Sequence, residues 1–503
     1  MQKFTTLVIT EKPTVAKDVV VALQSKCLNN ATSRSDGCYV LENGMAIAYL
    51  FGHMIETVKP EEYPEGERPH PTEIQPFMPY PLRTEPKAEL DSVTKKPKMR
   101  GGKRVPVEQY VIVTRLMREA KEIINAGDID REGQLIVDEL LEAAGVDPTG
   151  KTKPVHRVAL TSNHPEDMRQ AFRAMERNGN GSNRWVWKRY AALGRQFFDF
   201  WLGMSVSMAY QKITGYRRTS AGRVQTAVAW IVVRRDLDIE SFKPVQYYVP
   251  VVTLIDGTEM RWFRREDAAG QPGFDDRGRI IDVRLAQAIV DAIQRGQTGT
   301  ITIADRDKVS EAPPLPFALV DLQIAASKRL GMPVKQVEDV AQDLYNKRKM
   351  ISYVGTDCRY LPESKFGEAP QVLAALGKIN AKLATGANPV LRTKAWNDQK
   401  IDEHFAIIPT GTVAADLSEP ERKVFDLVMR RYAAQFYPPF IYMKTSLAAV
   451  FGRDEFRASA RETLQLGWKE AEALTESDER EEEASAQSEA EAPQQVNGVA
   501  PRG

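Results

Sequence analysis

Cysteine is scarce in this chain. Its 503 residues contain three, Cys27, Cys38 and Cys358, and no two of them form a C-x-x-C pair. A disulfide framework and a cysteine-ligated zinc site are thereby excluded. The five histidines are scattered, with no H-E-x-x-H arrangement. Long hydrophobic runs are missing too: Ala227 to Val233, the longest apolar stretch near the middle, falls far short of the roughly 20 residues that cross a bilayer. The run Phe4 to Thr10 lacks the longer apolar region of a secretory signal. From these absences we expect no membrane association and a cytoplasmic location.

Neither sign of charge dominates, with 69 basic residues against 68 acidic ones and a net charge of +1. That balance hides an asymmetry. Ala471 to Gly503 carries nine acidic and two basic residues, so this stretch stands at −7 and the rest of the chain at +8. A basic body with an acidic tail is compatible with a polyanionic partner. The tail has no aromatics and is expected to be disordered. Elsewhere, 42% hydrophobic and 27% charged residues are an ordinary globular mixture, enough for about three or four domains.

The apolar run ending at Thr10, the turn Glu11-Lys12-Pro13 and a helical pattern through Val15, Val19 and Leu23 read as strand, turn and helix. A second such unit is Glu122–Ala126, a turn Gly127 to Gly133, and a helix from Gln134 to Ala144. Two β-turn-α units predict an open α/β domain over roughly the first 155 residues. Between them Lys95 to Arg104 reads as a flexible basic loop. Asn183 to Ile239 is mostly helical in pattern, and Tyr247 to Phe263 alternates like strands. Helices are expected at Leu319–Leu330, Val334–Tyr345 and Pro420–Phe436. Strands are expected at Met350–Val354, Ile441–Val450 and Glu455–Ala460, with another reaching Gly467-Trp468.

Asp128, Asp130 and Glu132 follow the second strand directly, and Glu11 follows the first. In open parallel sheets, sites form at the carboxyl ends of strands. Four carboxylates on one edge repel unless a cation neutralises them, and a hard oxygen site with few protein ligands suits Mg²⁺ and phosphate chemistry. Two other readings compete. In an EF-hand loop, Asp128, Asp130, Glu132, Gly133 and Glu139 would take positions 1, 3, 5, 6 and 12, but a strand precedes the motif and a helix follows it at once. A plain acidic helix start, favoured by the helix dipole, needs no ligand at all.

These residues resemble the Toprim signature, a Glu at one strand end and D-x-D-x-E at another. Further segments extend the likeness. Arg195-Gln-Phe-Phe-Asp199-Phe-Trp-Leu-Gly203 and Ser220-Ala-Gly-Arg223-Val-Gln225-Thr226 resemble consecutive motifs of type IA DNA topoisomerases. Ile351-Ser-Tyr353-Val-Gly-Thr-Asp357-Cys-Arg-Tyr-Leu-Pro362 is similar to the segment bearing that family's nucleophilic tyrosine, and His404-Phe-Ala-Ile-Ile-Pro-Thr410 to the motif that follows it. The R-Y-L-P and A-I-I-P-T runs are closest to the topoisomerase III subgroup. The likeness runs from Glu11 to about Trp468.

It implies a multidomain α/β and α+β protein. A Toprim domain would span 1–155, a helical single-strand DNA-binding domain 156–239, and the first part of a β-rich arch 240–304. A tyrosine-bearing helical domain would follow over 305–415, the second part of the arch over 416–470, and the tail over 471–503. It implies ATP-independent cleavage of one DNA strand by Tyr353, strand passage and resealing. Glu11 would manage the leaving oxygen's proton, Lys12 would stabilise the transition state, and Asp128, Asp130 and Glu132 would hold Mg²⁺. Arg195, Arg223, Gln225 and His404 would contact DNA, among the aromatics Trp185, Trp187, Phe197 and Trp201. The substrate would be single-stranded or underwound duplex DNA, acted on by a monomer with a helicase or single-strand-binding protein as partner.

Two features depart from the family. Gly355 stands where an arginine usually follows the nucleophile by two residues, which implies slow cleavage. Nor do the second part of the DNA-binding domain, with its G-I-G-x-P-[AS]-T-like motif, and the zinc ribbons follow Trp468, so a fragment or minimal form is expected. The rival readings are a paralogue that holds single strands without cutting, and a Toprim nuclease or primase, in which a nucleophilic Tyr353 would be superfluous.

Overall fold

A computed structural model describes residues 4–24, 37–69, 73–101, 103–179, 184–216 and 218–472. Cys27 and the acidic tail beyond Glu472 lie outside them. The chain divides into two compact units, Met1–Glu240 with Asp402–His404, and Ser241–Ile401 with Phe405–Gly503. Among the described residues no helix is long and apolar enough to cross a membrane.

The first unit is built on β1 (Thr6–Thr10), α1 (Pro13–Ala22), β2 (Cys38–Val40), β3 (Met45–Tyr49), α2 (Glu108–Glu119), β4 (Glu122–Ala126), α3 (Arg131–Ala143), β5 (Val155–Arg157), α4 (Pro165–Arg173) and β6 (Glu176–Arg177). Two helices complete it, α5 (Arg184–Thr214) and α6 (Gln225–Glu240). The strands form one sheet in the order β6-β5-β4-β1-β3-β2. Its centre is parallel, with Thr10 paired to Tyr49 on one side and to Ala126 on the other. Alternation along β1 turns Leu7 and Ile9 to one face and Val8 to the other, and all three are fully buried. Leu7 and Ile9 pack with α2 and α3 residues, Val8 with Ala16, Val19 and Met168 of α1 and α4. From β1 the chain crosses to β3 on one side, then returns to β4 on the other. The carboxyl ends of β1 and β4 therefore meet at a switch point, where such sheets leave a crevice.

In the second unit β7 (Val251–Thr253), β8 (Glu259–Trp262), β9 (Gly299–Glu311), β10 (Phe440–Phe451) and β11 (Asp454–Gln465) form an antiparallel sheet in the order β7-β8-β11-β10-β9. Its outermost strands, β7 and β9, are largely exposed. A separate helical core packs α8 (Leu319–Leu330), α9 (Val334–Asn346) and α11 (Glu419–Ala433), numbered after α7 (Val283–Gln294) and α10 (Ala369–Gly377). Ser418 closes a capping box on α11 by bonding the Glu421 N–H while Glu421 bonds back.

Four expectations are corrected. Lys95 to Arg104 is not a loose loop: Met99–Arg100 pairs with Lys103–Arg104, and backbone bonds from Lys98 to Glu89 and from Val105 to Lys98 lock it. Arg104 is tied to Glu56, Glu62 and Glu85, so part of that basic charge is structural. Met350–Val354 is not a strand, since it makes one isolated bridge, Ile351 to Pro409. Trp468 opens a short helix, α12 (Trp468–Glu472), where a strand was expected. Ala471 and Glu472, expected in the disordered tail, belong to this helix, and Glu472 is 4% exposed and bonded to Arg329 and Arg431.

Candidate active-site carboxylates and tyrosine

The first unit gathers the carboxylates at the switch point. Glu11 follows β1, and Asp128, Asp130 and Glu132 lie in the turn joining β4 to α3. Each has a different partner. Asp128 accepts from the Lys12 ammonium at 2.6 Å, and Glu11 lies 3.6 Å from the same nitrogen. Asp130 caps α3, its Oδ1 accepting from the Gly133 N–H at 2.6 Å. Glu132 faces Arg195 at 3.1 Å. Among the described residues, no three His, Cys, Asp or Glu side chains converge closely enough to cage a metal ion.

The donor chemistry nevertheless fits a hard cation. Burial, and then the Asp128 charge, raise the Glu11 pKa above its ordinary value against the opposing pull of Lys12. The ammonium between Glu11 and Asp128 already stands where positive charge is needed. Mg²⁺ needs only one or two carboxylates, with water and phosphate oxygens filling its octahedron.

Two residues here, His53 and Arg157, belong to no motif of the sequence, and the packing of a third, Gly133, shows only in the structure. His53, in the segment after β3, lies 3.6 Å from Glu132 and 3.4 Å from Glu139. Its hydrogen bond to Glu139 raises its pKa. Arg157, at the end of β5, is buried beneath the carboxylate turn. Gly133 packs so tightly that a Cβ would collide with the Asp128 carbonyl oxygen and lie 2.7 Å from the Asp128 nitrogen. The available signal was positional: β3 and β5 flank β1 and β4, so their ends share the edge.

His404 belongs to this unit. Burial lowers its pKa, opposed by the charges of Asp128 and Asp130. Arg195 also bonds Asp199 at 3.4 Å, and Arg223 bonds Asp199 at 2.6 Å. Both arginines are 45% exposed. The Arg223 bond draws the Asp199 pKa down. Gln225 donates to Ser220 at 3.1 Å. The aromatics divide. Trp185 is buried, and Phe197 and Trp201 pack against the Tyr63–Phe77 cluster, while Trp187 is 64% exposed.

Tyr353 belongs to the second unit and is half-buried in a non-repetitive segment. The backbone around it is fixed: Ser352 N–H bonds the Ile408 carbonyl at 2.9 Å, and Ser352 Oγ bonds Ala406 and Ile408. Leu319 N–H bonds the Thr356 carbonyl at 3.0 Å. The Tyr353 ring meets Tyr345 edge-on, with centroids 5.7 Å apart. Its hydroxyl end lies over Gly355, where a Cβ would come within 2.7 Å of Oη.

A parallel sheet with Glu at one strand end and D-x-D-x-E at the next defines a Toprim-containing protein. Residues 6–162 match the Toprim domain family, and residues 188–500 match a family described as DNA topoisomerase. DNA topoisomerase 3 of Vibrio cholerae is 35% identical over 95% of this chain and 72% of its own length. That of Salmonella typhimurium is 32% identical over 95% of this chain and 70% of its own. The structure of full-length topoisomerase I from Thermotoga maritima superposes with a TM-score of 0.60, covering 93% of this chain and 68% of that one. At 18% identity this last likeness shows the fold alone. The chain belongs to the type IA DNA topoisomerases, on the topoisomerase III side of the family. It is thus a DNA topoisomerase, an isomerase acting on DNA, and its Toprim domain is of a kind generally associated with divalent metal.

Proposed function

We propose that Tyr353 is the nucleophile of an ATP-independent, Mg²⁺-dependent cycle of single-strand cleavage, passage and resealing. The observation that carries this is the tyrosine's setting, a phenol on a backbone pinned at Ser352 and Thr356 within the family's motif. The Tyr353 hydroxyl loses its proton to solvent as its oxygen bonds to phosphorus, the bond from phosphorus to the 3′-oxygen breaks, and the departing oxygen takes a proton. The 5′-phosphotyrosine conserves the bond energy, so the reverse attack by the 3′-hydroxyl needs no ATP.

Glu11, with its raised pKa, suits proton transfer to the 3′-oxygen. Lys12 supplies fixed positive charge for the transition state. Asp128, Asp130 and Glu132 would hold Mg²⁺, which when bound neutralises phosphate charge. Arg195 and Arg223 would exchange Asp199 for backbone phosphates, a trade sensitive to salt. Gln225, His404 and the exposed Trp187 complete the strand contacts, Trp187 by stacking. The domain limits 1–155, 156–239, 240–304, 305–415 and 416–470 assign these tasks to Toprim, DNA-binding, arch, tyrosine-bearing and arch segments in turn. We further propose a cytoplasmic monomer that works on single-stranded or underwound DNA beside a helicase or single-strand-binding protein.

The test is incubation of the chain with end-labelled single-stranded DNA and Mg²⁺, followed by denaturing electrophoresis. A covalent protein–DNA adduct is expected. Tight binding with no adduct would instead make the chain a paralogue that holds strands without cutting them.

A further inference from the structure

We propose that Arg157 determines which cation the carboxylate turn accepts, by holding the Gly127 and Asp128 backbone carbonyls away from the cation. This rests on the reading above that the turn takes a divalent ion.

Arg157 is 1% exposed, and Trp185, itself 2% exposed, stacks 4.5 Å from its guanidinium. Burial pulls its pKa down to about 10. A buried cation is strongly unfavourable unless its donors are satisfied. Here they are satisfied by an unusual set. Nη1 donates to the carbonyls of Asn125 at 3.2 Å, Gly127 at 2.9 Å and Val158 at 2.6 Å. Nη2 donates to the Asp128 carbonyl at 2.5 Å, and Nε to Gln134 Oε1 at 2.8 Å. Among the described residues none of its hydrogen bonds goes to a carboxylate. The guanidinium therefore does not compete with a metal for Asp128, Asp130 or Glu132. It engages the backbone that carries them.

The consequence concerns ligand type. A larger ion such as Ca²⁺ gathers six to eight oxygens, commonly including backbone carbonyls, whereas Mg²⁺ accepts a few carboxylates and retains water. With the Gly127 and Asp128 carbonyls turned onto Arg157, these two backbone oxygens are withheld from a cation at the turn and the side-chain carboxylates are left to receive it. The Asp128 side chain is left to the opposite side, where it meets Lys12. Gln134 is fixed in turn by Asp138 and Asn178, so the guanidinium's orientation is set from beneath. The EF-hand match fails for a separate reason: the backbone carbonyl ligand at position 7 would come from Gln134, which here lies inside α3. A lysine at this position could reach one or two carbonyls but could not span the divergent set that a planar fork spans.

The experiment uses the whole chain and Mn²⁺ as the spectroscopic probe. Bound Mn²⁺ is counted by electron paramagnetic resonance, and Mg²⁺ and Ca²⁺ are titrated against it in wild type, Arg157→Lys and Arg157→Met, with melting temperatures recorded in parallel. In wild type, Mg²⁺ should displace Mn²⁺ at lower concentration than Ca²⁺ does. Arg157→Lys should weaken Mn²⁺ binding roughly 10- to 100-fold, as loss of an outer-shell partner does, and shift the competition toward Ca²⁺. If Arg157→Met fails to fold, Arg157→Lys carries the comparison. A wild type that prefers Ca²⁺, or folded variants with an unchanged Mg²⁺-to-Ca²⁺ ratio, would overturn the proposal and leave Arg157 a packing residue. A wild type that binds no Mn²⁺ would remove the metal reading of the turn itself.

Discussion

The carboxylate turn Gly127–Gly133 and the tyrosine segment Ile351–Thr356 are both irregular stretches tied by hydrogen bonds, and they differ in what holds their side chains. In the first, Gly127 and Gly133 pack backbone against backbone and Arg157 clamps the carbonyls. In the second, Ser352 and Thr356 fix the chain on either side, while the Tyr353 ring rests edge-on against Tyr345 and over Gly355. Carboxylates that share a cation need a fixed spacing. A nucleophile that forms and breaks a bond needs a fixed root and a side chain that can move. The sharpest break of the comparison is Tyr353→Phe, which keeps the ring contact with Tyr345 and removes the attacking oxygen. It should abolish the covalent adduct while single-strand affinity stays within about twofold, because binding and bond formation draw on different groups. Denaturing gels and a filter-binding titration on the same preparation check both halves.

The rigidity of the carboxylate turn is tested by Gly133→Ala. The new Cβ would collide with the Asp128 carbonyl oxygen and stand 2.7 Å from the Asp128 nitrogen, and neither is a flexible side-chain end. Overpacking of this kind costs about 1–3 kcal/mol, and contact with backbone places it at the upper end. Gly194→Ala, within α5 and with open space where its Cβ would stand, is the control. It should gain about 0.5–1 kcal/mol from helix propensity. Urea denaturation of the pair would show whether the turn or glycine loss in general is responsible.

The sheet edge was legible because β1 and β4 are strongly apolar and end directly at acidic residues. Arg157 and His53 were not, because their roles come from strand order: β5 beside β4 and β3 beside β1 are long-range pairings that no local pattern states. The Tyr353 segment reads as a strand from Ile351, Tyr353 and Val354, but its neighbours supply one bridge where a ladder would be needed. The tyrosine itself was found by motif. In sequence Gly355 marks only a missing arginine, whereas in the structure it makes room for the phenol.

Beneath the turn, Asp138 probes the same network through pH. Burial raises its pKa to about 6, against hydrogen bonds from Gln134 and Asn178. A carboxyl with a raised folded pKa holds its proton more tightly in the folded chain. Its contribution is therefore complete below about pH 4 and is lost as pH rises through about 6, by on the order of 2–3 kcal/mol. Asp138→Asn should flatten that part of the stability profile. The amide can present its oxygen to only one of the two donors, so the variant carries a constant offset, and the diagnostic quantity is the change in difference between melts at pH 4.5 and pH 7.

The smallest expected effect lies at Gly355, where two causes must be separated. A side chain there would displace the Tyr353 phenol, since Cβ would stand 2.7 Å from Oη and 2.9 Å from Cζ. The phenol is the far end of a side chain, so rotation relieves the contact at about 0.5–1.5 kcal/mol if it leaves a staggered well. Gly355→Ala supplies displacement alone, and Gly355→Arg adds a guanidinium able to clamp phosphate oxygens. A charged hydrogen bond of about 1.5–3 kcal/mol acting in the transition state corresponds to roughly 10- to 150-fold in rate. Single-strand cleavage should therefore change by no more than about tenfold in Gly355→Ala and rise by about tenfold in Gly355→Arg, with equilibrium binding little altered. Equal rates in the two variants would show that displacing the phenol, and not missing charge, is what residue 355 controls. A fall in both would show that Tyr353 is already aimed productively when it lies over the glycine, and that the space at 355 is what a mobile nucleophile on a fixed root requires.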